Sequence, residues 1–519
     1  MSNYSGTISD LCYKLQMMKD LTLINMYTDI RSRVYMNGKV SRAIIERQGI
    51  RQGSETSTEI FKTRVNPLIR MITEQPDTMR IGCIKIGAPT CADDTCILTN
   101  DPIGAQSSLL LAQDNASKER YEFSTTKTKV LVYDPQITRH KKANERPPLY
   151  FNNSPLGYTS QETHLGLERA EDGKATPTVA ARIKKARRLG YSLMGAGMYG
   201  LNGMNPTVST AMINTYIIPA LMSGLETLRL STADYRELTQ YHQNLLRNVL
   251  HLPRSTATPA LYLLTGSLPM EAVHHKNILT FFGNCLRRER STEKDIIERQ
   301  LCMKDMDSNS WVVLVRELLY KYQLTSAFEL VKNPLPKATW KKMVKDSVNC
   351  HWISALRNQA KEKTTLRYMN VDGCVLGETH HIYKKADNPF EIQKACTKAR
   401  MLVGRYGVTS SYTAGKSKCE RCPLCSEEEE TLSHMLLRCK ALEDSRKQKL
   451  EDIKTCLKER KVKVDDNSCL IQAILDPSIL YGAPDETTVK IEMKTRGFCH
   501  DLHMERSHKM QPNGKKLQK

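Results

Sequence analysis

Ala88-Pro89-Thr90-Cys91-Ala92-Asp93-Asp94-Thr95 places two adjacent carboxylates at a turn between two runs of β character, Ile81–Pro89 and Thr95–Thr99. Anionic oxygens placed in this way can hold hard divalent cations such as Mg²⁺, which retain waters and also bind substrate phosphates. A pair of such ions ~4 Å apart activates an attacking hydroxyl and stabilises a departing pyrophosphate. The bland reading of the same dipeptide is an Asp-Asp turn selected for its backbone hydrogen bonding. The dipeptide alone does not separate the two; its surroundings must.

Working outward, the flanks alternate between helical and extended patterns. Leu11–Leu15 and Leu21–Ile30 carry apolar residues at helical spacing, and Arg33–Met36 followed by Asn37-Gly38 predicts a strand entering a tight hairpin turn. Phe61, Val65, Leu68, Ile69 and Ile72 predict a helix over Ile60–Ile72 despite Pro67. A further helix is expected over Ala105–Tyr121 and a strand over Val130–Tyr133, so this part reads as α+β. From about Ala175 the texture becomes helical. Val179, Ile183, Ala186, Leu189 and Leu193 recur on one face, while Arg182, Lys184, Lys185, Arg187 and Arg188 are assigned to the charged face. Helical tracts continue to about Arg405, with Trp311, Trp340 and Trp352 as expected core anchors.

Three further segments fall in order around the acidic tip. Gly49-Ile50-Arg51-Gln52-Gly53-Ser54 precedes it; a glycine-bracketed Arg-Gln at a helix start can offer N–H groups and a guanidinium to phosphate. Thr126-Lys127-Thr128-Lys129 is a basic turn leading into a strand, and Thr163-His164-Leu165-Gly166 follows. Each has an ordinary alternative as a helix N-terminus, a solvated turn or an unremarkable tetrapeptide. As an ordered set they resemble the blocks of reverse transcriptases from non-LTR (LINE-type) retrotransposons, over residues 11–170.

The resemblance implies a partial right-hand polymerase palm over 1–170, an α-helical thumb over 171–290 and a helical linker over 291–405. Residues 406–445 would form a small zinc knuckle, and 446–519 a charged helix with a disordered tail. The implied activity is RNA-directed DNA polymerisation by two Mg²⁺ ions, on an RNA template, a DNA primer and deoxynucleotides. Asp93 and Asp94 would bind Mg²⁺ and Lys127 would act as an acid towards pyrophosphate. Arg51, Gln52 and Gly53 would line the nucleotide and template site. His164 and Gly166 would form the primer-grip turn, and Arg182, Lys184, Lys185 and Arg188 would track the duplex backbone.

The sequence also departs from the family pattern. A third carboxylate is expected on a strand ahead of a Leu-Tyr-Lys-Leu-like helix, yet that helix starts at Leu11 and Asp10 stands too close to it. Asp20 and Asp29 lie beyond it. The expectation is therefore a 5′-truncated fragment with weak or no polymerase activity of its own, the rival being a nucleic-acid-binding remnant without chemistry. Cys91 also replaces the usual aromatic, and Ser124 stands where the family often has Asn.

Cys422-Pro423-Leu424-Cys425, His434 and Cys439 form C-x2-C-x8-H-x4-C. A short loop lets the first two thiolates reach one ion, and the later pair can complete a tetrahedral, closed Zn²⁺ site. Cys419 is a competing ligand. The run Glu427–Glu430 is expected to repel phosphate from this loop, while adjacent Lys416, Lys418, Arg421, Arg438 and Lys440 pull the other way. His274-His275 and His380-His381 have no partner cysteines or carboxylates at useful spacing and read as surface or core histidines. Cys83, Cys91 and Cys96 read as packing residues.

Composition fits a nucleic-acid protein. Lys and Arg number 77 against 56 Asp and Glu, a net +21, which favours polyanions: nucleic acid first, anionic membrane second. A generally basic solvated surface is the plain alternative. Aromatics at 6% argue against a base-stacking sheet as the main binding device. No stretch approaches the roughly 18 apolar residues of a membrane helix, and Met1–Asp10 lacks the shape of a secretory signal. The 16 scattered cysteines suggest a reducing compartment. The expectation is a soluble intracellular protein, nuclear or cytoplasmic.

Overall fold

The computed structural model describes residues 28–46, 57–133, 146–408, 421–459, 466–480 and 486–510. The chain divides into two compact units, residues 1–174 with 289–303, and residues 175–288 with 304–519. Mixed, helix-rich α+β architecture is observed: all the strands lie in the first unit, and the second is helical among its described residues.

In the first unit the strands are short and paired two by two, antiparallel except for Lys129–Leu131 alongside Gly157–Thr159. The Tyr35–Met36 and Lys39–Val40 strands turn at Asn37 and Gly38, both at positive φ, as the Asn-Gly signal predicts. The helix Ser57–Glu74 runs straight through Pro67. It packs Leu68 and Ile72 against Ala88, Leu109, Ala112, Leu149, Phe151 and Leu156, with Leu109 and Ala112 coming from the helix Pro102–Glu119. Asp101 caps that second helix by accepting from Gly104 N–H at 2.7 Å.

One expectation fails here. Ile81–Pro89 is not a single β run: Arg80–Ile81 folds back onto Ile84–Lys85 through a turn with Gly82 at φ +63°. The chain then enters the acidic hairpin separately. Cys83 and Cys91 are exposed, so they do not pack as expected, while Cys96 is half-buried.

The second unit opens with the helix Thr176–Gly195. Its buried face carries Val179, Arg182, Ile183, Ala186 and Gly190. Arg182 therefore belongs to the inner face and not to the charged one, because it lies one helical turn from both Val179 and Ala186. Lys184, Lys185, Arg187 and Arg188 are exposed as expected. The core continues through the helices Thr232–Leu250, Thr258–Thr265 and Met270–Leu286 to Pro389–Leu402 and the C-terminal helices. Trp340, in the helix Lys337–Lys361, is fully buried and donates its indole N–H to Leu279 O at 2.8 Å. Gly283 makes room for it: a Cβ there would stand 2.2 Å from the indole nitrogen. Trp311 and Trp352 are only half-buried. Where one charged helix and a disordered tail were expected, the described residues form Glu443–Glu459, Asn467–Leu475 and Glu486–Lys509. Their buried Ile453, Leu457, Ile471, Ile474, Phe498 and Leu502 belong to the same core. Among the described residues no helix is long and apolar enough to cross a membrane.

Candidate functional site

Asp93 and Asp94 occupy the tip of a hairpin in the first unit. Thr90–Cys91 pairs with Asp94–Thr95, leaving Ala92 and Asp93 as a two-residue turn. The stem continues through bonds from Cys96 N–H to Pro89 O at 3.0 Å and from Leu98 N–H to Gly87 O at 2.8 Å. Gly87 permits this stem to lie on the Ser57–Glu74 helix, since a Cβ there would come within 2.6 Å of the Thr73 backbone. Ala92 sits at φ +54°, a left-handed conformation that costs a non-glycine residue on the order of 1–2 kcal/mol. The packed stem thus holds a strained turn and leaves both aspartates exposed. Among the described residues no third carboxylate, histidine or cysteine joins them in a metal-sized cluster.

The other predicted residues of this unit are also placed. Lys127 is exposed in a turn closed by its own N–H to Ser124 O at 3.2 Å, just before the strand Lys129–Leu131. His164 ends the strand Gln161–His164, which pairs with Leu167–Ala170. Leu165 and Gly166 both have positive φ, the geometry of a tight primed turn. Arg51, Gln52 and Gly53, the helix at Leu11–Leu15, Asp10 and Asp20 lie outside the described residues, as does Cys419. Asp29 is exposed and pairs with Arg31 at 3.1 Å.

In the second unit the structure brings Cys422, Cys425, His434 and Cys439 together. Their donor atoms lie within 4.8 Å of one another, with Cys422, His434 and Cys439 buried. The first two ride on a tight loop: Ser426 N–H bonds Cys422 O at 2.8 Å, and Cys422 N–H bonds Glu428 O at 2.6 Å. The last two are spaced by a widened helical turn, His434–Arg438, closed by Cys439 N–H to His434 O at 2.8 Å. Cys425 Sγ is 3.3 Å from His434 Nε2, and Cys422 Sγ is 3.9 Å from Cys439 Sγ. Burial and the Cys422 and Cys425 sulfurs push the Cys439 thiol up to about 12. A bound dication would reverse that, because a coordinating thiol is deprotonated outright. This is a Cys3His cluster that could hold a metal.

Its supporting groups were not legible as such. Glu428 Oε2 stands 3.3 Å from His434 Nδ1, which leaves Nε2 directed at the sulfurs, and it accepts from Arg438 Nε at 3.0 Å. Glu427 pairs with Lys440 at 2.7 Å. Glu430 is buried in a two-pronged bond to Arg506, 2.6 and 2.9 Å, and Arg446 donates to Cys439 O at 2.9 Å. The acidic run expected to repel phosphate is thus largely neutralised by cations of its own fold. The signal available in the sequence was the nearness of Arg438 and Lys440 to this run; Arg506, far along the chain, gave none.

Comparison with known proteins follows the same line. No family model matches the chain. Similarity is found to the polyproteins of retrotransposable elements. The relatives are the retrovirus-related Pol polyproteins of the type-1 retrotransposable element R2. The one from Popillia japonica is 22% identical over 245 residues, 46% of this chain and 38% of that protein. The one from Nasonia vitripennis is 24% identical over 235 residues, 44% of this chain and 22% of that protein. The chain therefore matches well under half the length of either relative. It is related to non-LTR retrotransposon Pol proteins, as the ordered motifs indicated.

Proposed function

We propose that the chain is part of an RNA-directed DNA polymerase of a non-LTR retrotransposon. The observation that carries the reading is the similarity to two R2 Pol polyproteins, and the exposed Asp93-Asp94 hairpin tip is consistent with it. In this reading residues 1–170 are palm, 171–290 thumb, 291–405 linker and 406–445 knuckle. A primer 3′-hydroxyl attacks the α-phosphate of a deoxynucleotide between two Mg²⁺ ions held in part by Asp93 and Asp94. Lys127 protonates the leaving pyrophosphate. Arg51, Gln52 and Gly53 contact nucleotide and template, and His164 and Gly166 grip the primer. Lys184, Lys185 and Arg188 track the duplex, while Arg182 braces their helix from within. The Cys3His cluster holds a structural Zn²⁺.

A second reading is a nucleic-acid-binding protein without chemistry. What favours it is that no third carboxylate gathers with Asp93 and Asp94 among the described residues. Primer extension on an RNA template with Mg²⁺, beside a salt titration of template–primer binding, separates the two. Incorporation supports the polymerase. Salt-sensitive binding without incorporation supports the second reading, and binding indifferent to salt contradicts both.

A further inference from the structure

The second unit holds another convergence of donor groups, assembled from segments far apart in the sequence. His380 and His381 enter the short turn His381–Tyr383 with their rings tilted 38° to each other, centroids 4.0 Å apart. Both Nε2 atoms lie close to Asp476, which closes the helix Asn467–Leu475. His380 Nε2 is 3.4 Å from Asp476 Oδ2, and His381 Nε2 is 3.2 Å from Oδ1. Glu492, from the C-terminal helix, brings Oε2 within 3.3 Å of His381 Nε2. All four residues are buried, at most 8% exposed.

Two features set this cluster apart from an ordinary buried ion pair. First, His380 Nε2, His381 Nε2 and Glu492 Oε2 make no hydrogen bond of proper direction, although a carboxylate oxygen stands within 3.4 Å of each imidazole nitrogen. Most buried polar atoms in native interiors have a partner, and three unpaired ones beside a buried carboxylate call for an occupant. Second, one donor atom from each of His380, His381 and Asp476 lies within 4.8 Å of the others, which small side-chain shifts close to the roughly 3.3–3.4 Å that separates donors bound ~2.0–2.1 Å from a tetrahedral zinc. The Cys3His cluster offers a comparison inside the same unit, with its Cys425 sulfur and His434 nitrogen at 3.3 Å.

We propose that His380, His381 and Asp476 form a second zinc site, two imidazoles and one carboxylate, with Glu492 alongside. The surroundings orient the donors as supporting groups do at metal centres. Asn370 N–H donates to Asp476 Oδ2 at 2.7 Å, and Ser478 Oγ donates to Oδ1 at 2.6 Å. Lys398, itself buried, donates to Glu492 Oε1 at 2.7 Å and to Thr495 Oγ1 at 2.7 Å. Arg496 Nε stands 3.8 Å from Glu492 Oε1. These two cations offset the two carboxylates, and an ion enters by displacing the proton that His381 otherwise holds. Bound there, zinc ties the His380 turn to the end of the Asn467–Leu475 helix.

The rival occupant is a proton. Burial opposes a charge on His381, but Asp476 and Glu492 together lift it to about 9. Metal content separates the two. The full chain, purified from zinc-supplemented cells, is analysed for zinc per chain and by X-ray absorption at the zinc edge. The expected result is two zincs per chain and an average shell poorer in sulfur than the three-to-one of the knuckle. His381→Ala should retain one zinc in a sulfur-rich shell. One zinc per chain with that sulfur-rich shell in the unmodified protein overturns the proposal without need of a variant. Zinc seen only with nitrogen and oxygen neighbours supports this site and removes the knuckle instead, so the two failures are distinguishable.

Discussion

The two units treat their polar groups in opposite ways. In the first, a core built around Leu68, Ile72, Leu109 and Phe151 supports short paired strands, and the carboxylates of interest stand in solvent on a strained turn. In the second, a continuous helical core surrounds its polar clusters: Cys3His, His380-His381-Asp476 and the Glu430–Arg506 pair are largely buried. An exposed carboxylate pair costs the fold little and stays available to solvent and ligands. A buried donor set must be satisfied in place, so its stability depends on what fills it.

That contrast makes graded predictions. The largest effect is expected from emptying the Cys3His cluster. Structural zinc contributes apparent folding energies of ~10–16 kcal/mol in small domains. Cys439→Ser should therefore strip the metal and expose residues 421–442 to protease, while the first unit keeps its protection. Equal loss in both units would break the distinction. Next comes Glu430→Ala, which leaves the Arg506 guanidinium buried without its carboxylate. Losing one partner of such a pair costs about 3–5 kcal/mol, read as a lowered urea midpoint of the second unit.

Acid should act on the same unit. Burial holds His242 and His274 down to about 4 and His275 to about 3. These histidines stay neutral when folded and take protons when unfolded, so their stabilisation is whole above about 6.5 and is lost as pH falls towards 4. Hydrogen exchange followed between pH 7 and 4 should show the second unit opening first. A first unit that opened earlier would contradict the account. The smallest effect sharpens the other side: Ala92→Gly relieves the positive φ and should raise stability by about 1 kcal/mol in a denaturant titration.

The same division governs what could be read from the sequence. The Cys3His donors lie close along the chain, and their spacing alone brings them to one point. The hairpin at Asn37-Gly38 was equally local. Asp476 and Glu492 reach His380 and His381 only through packing of distant helices, so no spacing rule announced them. Arg182 is different. Its place on the buried stripe with Val179 and Ala186 was visible in the helical period and was overridden by its charge. The break at Gly82 was likewise legible as a turn residue inside a β run.

Mg²⁺-dependent extension of a primer on an RNA template, by the unmodified chain and by Asp93→Asn with zinc content measured in both, bears most directly on the central claim that chemistry resides at the exposed tip and structural metal elsewhere. The account predicts at most weak incorporation, all of it abolished by the substitution, with zinc unchanged. Incorporation surviving Asp93→Asn would contradict it.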